Sequence, residues 1–139
     1  MSDALAILMR WLHLSSMATL VGGFLYSRLV VPPAAGELTP GHIGQQIDDN
    51  AAGKFKPFAL AAMTAILISG LYNVFSVPGH TARYHALLGI KLLLVLHVFA
   101  VTLLIIRPSN PRRARLTAGA LVSGLVIIFI SAWLRRISN

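Results

Sequence analysis

The chain has no cysteine among its 139 residues, so disulfides, thiolate metal ligands and thiol nucleophiles are excluded. Acidic residues are nearly absent as well: Asp3, Glu37, Asp48 and Asp49 are the only four. None of them lies in a long apolar run. Paired intramembrane carboxylates for acid–base work or proton pumping are thereby ruled out. Charge of either sign makes up 12% of the residues, where a soluble domain carries about 25%. A phosphate-binding glycine loop, a GxSxG elbow and an HExxH pair are all missing. No short apolar core followed by an A-x-A site reads as a cleavable signal peptide.

What remains is 56% hydrophobic, with a formal net charge of +8. The cations cluster at the ends of apolar runs rather than along one basic face. That distribution belongs to membrane flanks and excludes a nucleic-acid partner.

A membrane-spanning helix needs about 20 apolar residues to cross roughly 30 Å of hydrocarbon. Four runs qualify, at about 5–31, 58–77, 84–106 and 111–134. Pro32-Pro33, Pro78-Gly79 and Arg107-Pro108 stop the first three, and the fourth opens at Pro111 after Ser109-Asn110. Period-2 alternation is absent from these runs, so no strand competes. The expected fold is one all-α domain over residues 1–139, an integral membrane four-helix bundle. In the first loop, Thr39-Pro40 and the recurrence of Ile43, Ile47 and Ala51 predict a short interfacial helix. His42 there reads as a surface histidine.

Four spans put both termini on one side. That side carries Arg10, Arg83, Lys91, Arg135 and Arg136, and the other carries Arg28, Lys54, Lys56, Arg107, Arg112, Arg113 and Arg115. The excess of cations favours a cytoplasmic "RPSNPRRAR" turn and termini on the outer side of a bacterial-type inner membrane.

Ionisable groups inside spans are costly and point to bundle-facing chemistry or to snorkelling. Arg10, His13, Arg28, Lys91 and His97 are the residues in question. Arg28 precedes the Pro32-Pro33 stop by one turn and reaches headgroups, and Arg10 reaches water on the terminal side. His13 and His97 are too deep for a short imidazole. Counted at 1.5 Å per residue, His97 lies roughly 7 Å deeper than His13, and Lys91 matches His13 better.

Neutral imidazole is a common metal ligand, and haem iron takes axial histidine. The expected site is a b-type haem between facing helices, with His13 and His97 as axial ligands. Arg10 and Lys91 lie near the propionates, and Gly22-Gly23, Ser69, Gly70 and Gly89 permit close approach. The depth difference leaves open that Lys91 is the partner, or that His13 binds alone. Copper is the alternative, with Met9, Met17 or Met63 as thioether ligands. A cofactor-free scaffold subunit is the third reading. In "GHTARYH", His80 and His85 read as an interfacial polar cluster.

"RWLHLSSMATLVGGFLYSRLVVPP" resembles the opening helix of the CopD-like membrane proteins, in which a W-L-H start leads to a G-G pair and a proline stop. "AILISGLYNV" is similar to their second helix, and "HALLGIKLLLVLHVFAV" to their third. The HemJ-type oxidases share this helix pair. The resemblance implies a b-type haem, a pocket role for His13 and His97, and support from Lys91. CopD itself implies copper handling. Leu20-Val21 stand where those first helices often carry a tryptophan, and the chain is shorter than a full CopD. Porphyrinogen oxidation is therefore not carried over. The expectation is a small haem-binding electron-transfer protein within a respiratory or photosynthetic assembly. Its partners are the bilayer, other membrane subunits, and a quinone or other redox partner.

Overall fold

The computed structural model describes residues 3–31, 42–76 and 82–137. They form four helices: α1 (Asp3–Leu29), α2 (His42–Phe75), α3 (Ala82–Ile105) and α4 (Arg113–Ile137). All four are long and apolar enough to cross a membrane, and no strand occurs among the described residues. The chain is an all-α, multi-pass membrane bundle. Its surface fits that solvent: Leu93, Leu96 and Phe129 stand exposed, as lipid permits and water would not.

α1 packs along α2, α3 packs along α4, and α1 meets α4 to join the two pairs. α2 and α3 barely touch, and α1 stands diagonally across from α3. The packed core draws on every helix, with Leu20 and Phe24 from α1, Met63 and Ile66 from α2, Val98 and Ile105 from α3, and Ala120 and Ile127 from α4. Two glycines let side chains close in. The Phe55 ring lies where a Cβ on Gly23 would project, and a Cβ on Gly124 would stand 3.1 Å from Val21. Phe55 also meets Phe24 edge-on, with ring centroids 6.5 Å apart.

The segment holding Ile43, Ile47 and Ala51 is helical, as expected, but it is not a separate element. It runs without a break through Pro57 into the second span. Thr39-Pro40 and the Pro32-Pro33 and Pro78-Gly79 stops lie outside the described residues. Proline deprives the carbonyl four residues earlier of its partner. Here that residue is Gly53, which is exposed with nothing near its Cβ position. A helix of 34 residues measures about 50 Å, well beyond the hydrocarbon thickness of roughly 30 Å. The polar first part of α2 therefore overhangs the membrane.

Arg113 ties down this overhang. It is 4% exposed, and its fork is fully engaged. Nε donates to the Ile105 carbonyl at 3.0 Å, Nη2 to the Arg107 carbonyl at 2.8 Å, and Nη1 to Asp48 at 2.6 Å. Nη2 also meets Asp49 at 2.6 Å, and Asp49 accepts the Ser109 N–H at 3.1 Å. α4 begins at Arg113, two residues after the expected Pro111, because a turn comes first. Asn110 accepts the Arg112 N–H on its side chain and the Arg113 N–H on its carbonyl, while Ser109 adopts φ 54°.

Candidate functional site

Burial is uneven along the bundle axis. On α1 no described residue before Ser16 is buried, on α2 none after Ser69, and on α3 none before Val98. Only α4 continues the packing toward the termini, with Ile130 and Leu134. The core is thus closed at the loop end and opens toward the termini. Its centre is tight, holding one apolar cavity of about 10 Å³ lined by residues such as Met17, Phe24, Ile66 and Val98. That is the space of a single water, and no macrocycle enters there.

His13 lies at the edge of the opening. Its Nδ1 is 2.9 Å from Ser69 Oγ. The serine has one proton, and it is directed to the Ala65 carbonyl at 2.5 Å. Ser69 Oγ therefore accepts, and His13 donates from Nδ1. In this tautomer the ring lone pair is on Nε2. A metal-binding histidine is oriented in this way, by an oxygen that receives its other ring proton. Gly70 clears the ring: a Cβ there would stand 3.4 Å from His13 Cε1.

Lys91 is half-buried on the inward stripe of α3. No acidic side chain pairs with it among the described residues, since Asp48 and Asp49 are taken by Arg113 at the other end. Tyr72, one turn beyond Ser69 on α2, holds an enclosed hydroxyl with no hydrogen-bond partner among the described residues. The opening thus offers an imidazole lone pair, an uncompensated ammonium and a spare hydroxyl in an apolar setting. Such a set can hold a metal centre on one side and an anionic group on the other.

His97 does not join this set. The inward stripe of α3 is Lys91, Leu94, Val98, Val101, Thr102 and Ile105. His97 falls one position off Val98, about 100° round the helix, and is exposed on the lipid side. The expectation of His13 and His97 facing each other within one bundle is corrected accordingly. Arg10 is exposed on α1, one turn before His13. Gly23 is occupied by Phe55, while Gly22 and Gly89 face open space. Met17 and Met63 pack in or against the core, and no group of three or more His, Cys, Asp or Glu gathers among the described residues. His80 and the His42 side chain lie outside the described residues, and His85 is exposed beside Tyr84.

From sequence Ser69 reads only as a small residue, and Tyr72 carries no separate signal. Their spacing of three on a helix, which places them on one face, is the signal that links them. Compared with known proteins, the chain matches no family model, no curated protein and no solved structure.

Proposed function

We propose that this chain binds a b-type haem at its terminal-side opening and acts as a small electron-transfer subunit of a membrane redox assembly. The observation that supports it is the placement of His13 where the packed core ends, with its Nδ1 2.9 Å from Ser69 Oγ. The donor set fits a haem ligated from one side. Bound haem supplies one-electron chemistry; the chain's residues supply orientation, charge and an apolar setting. Ser69 would hold the imidazole plane, Lys91 would offset negative charge on the group, and the Tyr72 hydroxyl could donate to one of its oxygens. His97 of the same chain is not the second axial ligand. The resemblance of the first three helices to the CopD-like and HemJ-type proteins supports the haem reading.

The opposite end carries exposed Arg28, Lys54, Lys56, Arg107, Arg112 and Arg115. In this proposal that end faces the cytoplasm of a bacterial-type inner membrane, with the termini outside.

The test is the absorbance of detergent-purified protein, oxidised and after dithionite. A Soret band and a reduced b-type α band are expected, lost in His13→Ala and retained in His97→Ala. Colourless protein with no haem on pyridine extraction sinks the reading. Copper by elemental analysis would then favour the copper-handling alternative, and its absence a scaffold subunit.

A further inference from the structure

His97 stands near the middle of α3 on the face turned to lipid, and it makes no hydrogen bond within its own chain among the described residues. A neutral imidazole carries one donor and one acceptor, and hydrocarbon offers neither. The residues around it form a continuous outward seam: Ala86, Ile90, Leu93, His97, Ala100 and Leu104 are all exposed. Their alternating steps of four and three are those of a coiled-coil seam, in which one polar residue fixes register and partner number. Alanines near both ends allow close approach, and the opposite side of α3 is already used by the core.

We infer that this seam is the interface with a second copy of the chain, in which the two His97 side chains hydrogen-bond to one another. Copies in a membrane share one topology, so the two-fold axis relating them runs along the bilayer normal. Each seam residue then meets its own counterpart at its own depth. A seam whose single polar group is both donor and acceptor is complementary to itself. An unrelated partner would have to bring a polar group to that same depth. The inference is independent of the haem reading, because His13 lies diagonally across the bundle.

The natural absence of cysteine makes the test direct. Leu93→Cys and, as a control about 100° round the helix, Leu92→Cys are expressed in membranes and treated with copper phenanthroline. Leu93→Cys yields a disulfide-linked dimer and Leu92→Cys stays monomeric. His97→Leu in the Leu93→Cys background requires roughly tenfold more protein per lipid for half-maximal crosslinking, the loss of one interhelical hydrogen bond. His97→Asn recovers part of it, and His13→Ala leaves it unchanged. Equal crosslinking at 92 and 93, none at 93, or an unaltered His97→Leu titration overturns the inference.

Discussion

Ser69 Oγ stands 2.9 Å from His13 Nδ1 and gives its own proton to the Ala65 carbonyl, so one hydroxyl decides which histidine nitrogen is free. Ser69→Ala removes the acceptor and leaves the half-buried Nδ1–H unpaired. Expected losses are about 1 kcal/mol of stability and a 10- to 100-fold weaker haem affinity. Haem titration of the variant in detergent measures the second. An affinity equal to wild type would mean that Ser69 does not orient the ligand.

Tyr72 carries the opposite liability, an enclosed hydroxyl with no hydrogen-bond partner among the described residues. Tyr72→Phe relieves it in the ligand-free protein, raising stability by up to about 1 kcal/mol. In haem-loaded protein the same change is unfavourable, because the bound group loses a donor. Opposite signs in thermal melts of the two forms are the expected outcome.

Gly23 depends on having no side chain. A Cβ there meets the Phe55 ring, and Gly23→Ala pushes that ring off Phe24. The cost is about 1–2 kcal/mol, as for other overpacked contacts. Pairing it with Phe55→Leu recovers part of the loss, so that the two changes are non-additive. Denaturation of the two single variants and the double variant reads this directly.

The Arg113 cluster sets an acid limit. Asp49 lies on the polar overhang of α2, outside the hydrocarbon. The hydrogen bond from Arg113 chiefly, then the Ser109 N–H and the arginine charge, hold its carboxyl below the usual carboxylate range. A carboxyl lowered in the folded state contributes stability that is complete above its unfolded value, about 3.9. That contribution is lost as pH falls through the folded value. Melting temperature should therefore be insensitive to this group from neutral pH down to about 5 and drop in stronger acid. In Asp49→Asn the acid-side drop is smaller. A wild-type loss centred near neutrality would assign the transition to another group. Arg113→Leu removes the partner of both carboxylates and the donor to the Ile105 and Arg107 carbonyls, and lowers the melting temperature at neutral pH. Arg113→Lys recovers only part, since it lacks the planar fork.

The four spans were legible in the sequence because hydrocarbon thickness fixes their length, and hydropathy finds such runs without knowing how they pack. Depth was legible too: counting residues already matched Lys91, rather than His97, to His13. Helix rotation was not. Lipid and protein core are equally apolar, so α3 shows no polar face to mark its outside. Yet Lys91 and His97 are six residues apart, about 120° round a helix, and cannot share one stripe. The Arg113 cluster was hidden for a different reason. Its aspartates lie 60 and more positions upstream, and a buried arginine looks like any flanking cation until the chain is folded. Continuity of α2 through Pro57 escaped because proline ends a helix only where the freed carbonyl finds no other partner.

The two ends of the bundle are mechanically unequal. At the loop end, one guanidinium rivets the overhang of α2 to the turn that joins α3 and α4. At the other end, no described residue of α1, α2 or α3 beyond Ser16, Ser69 and Val98 is buried. The bundle is thus pinned by ion pairs at one end and thinly packed at the other. On the haem proposal, a group held near His13 at the termini-side end would leave the Arg113 cluster at the opposite end untouched.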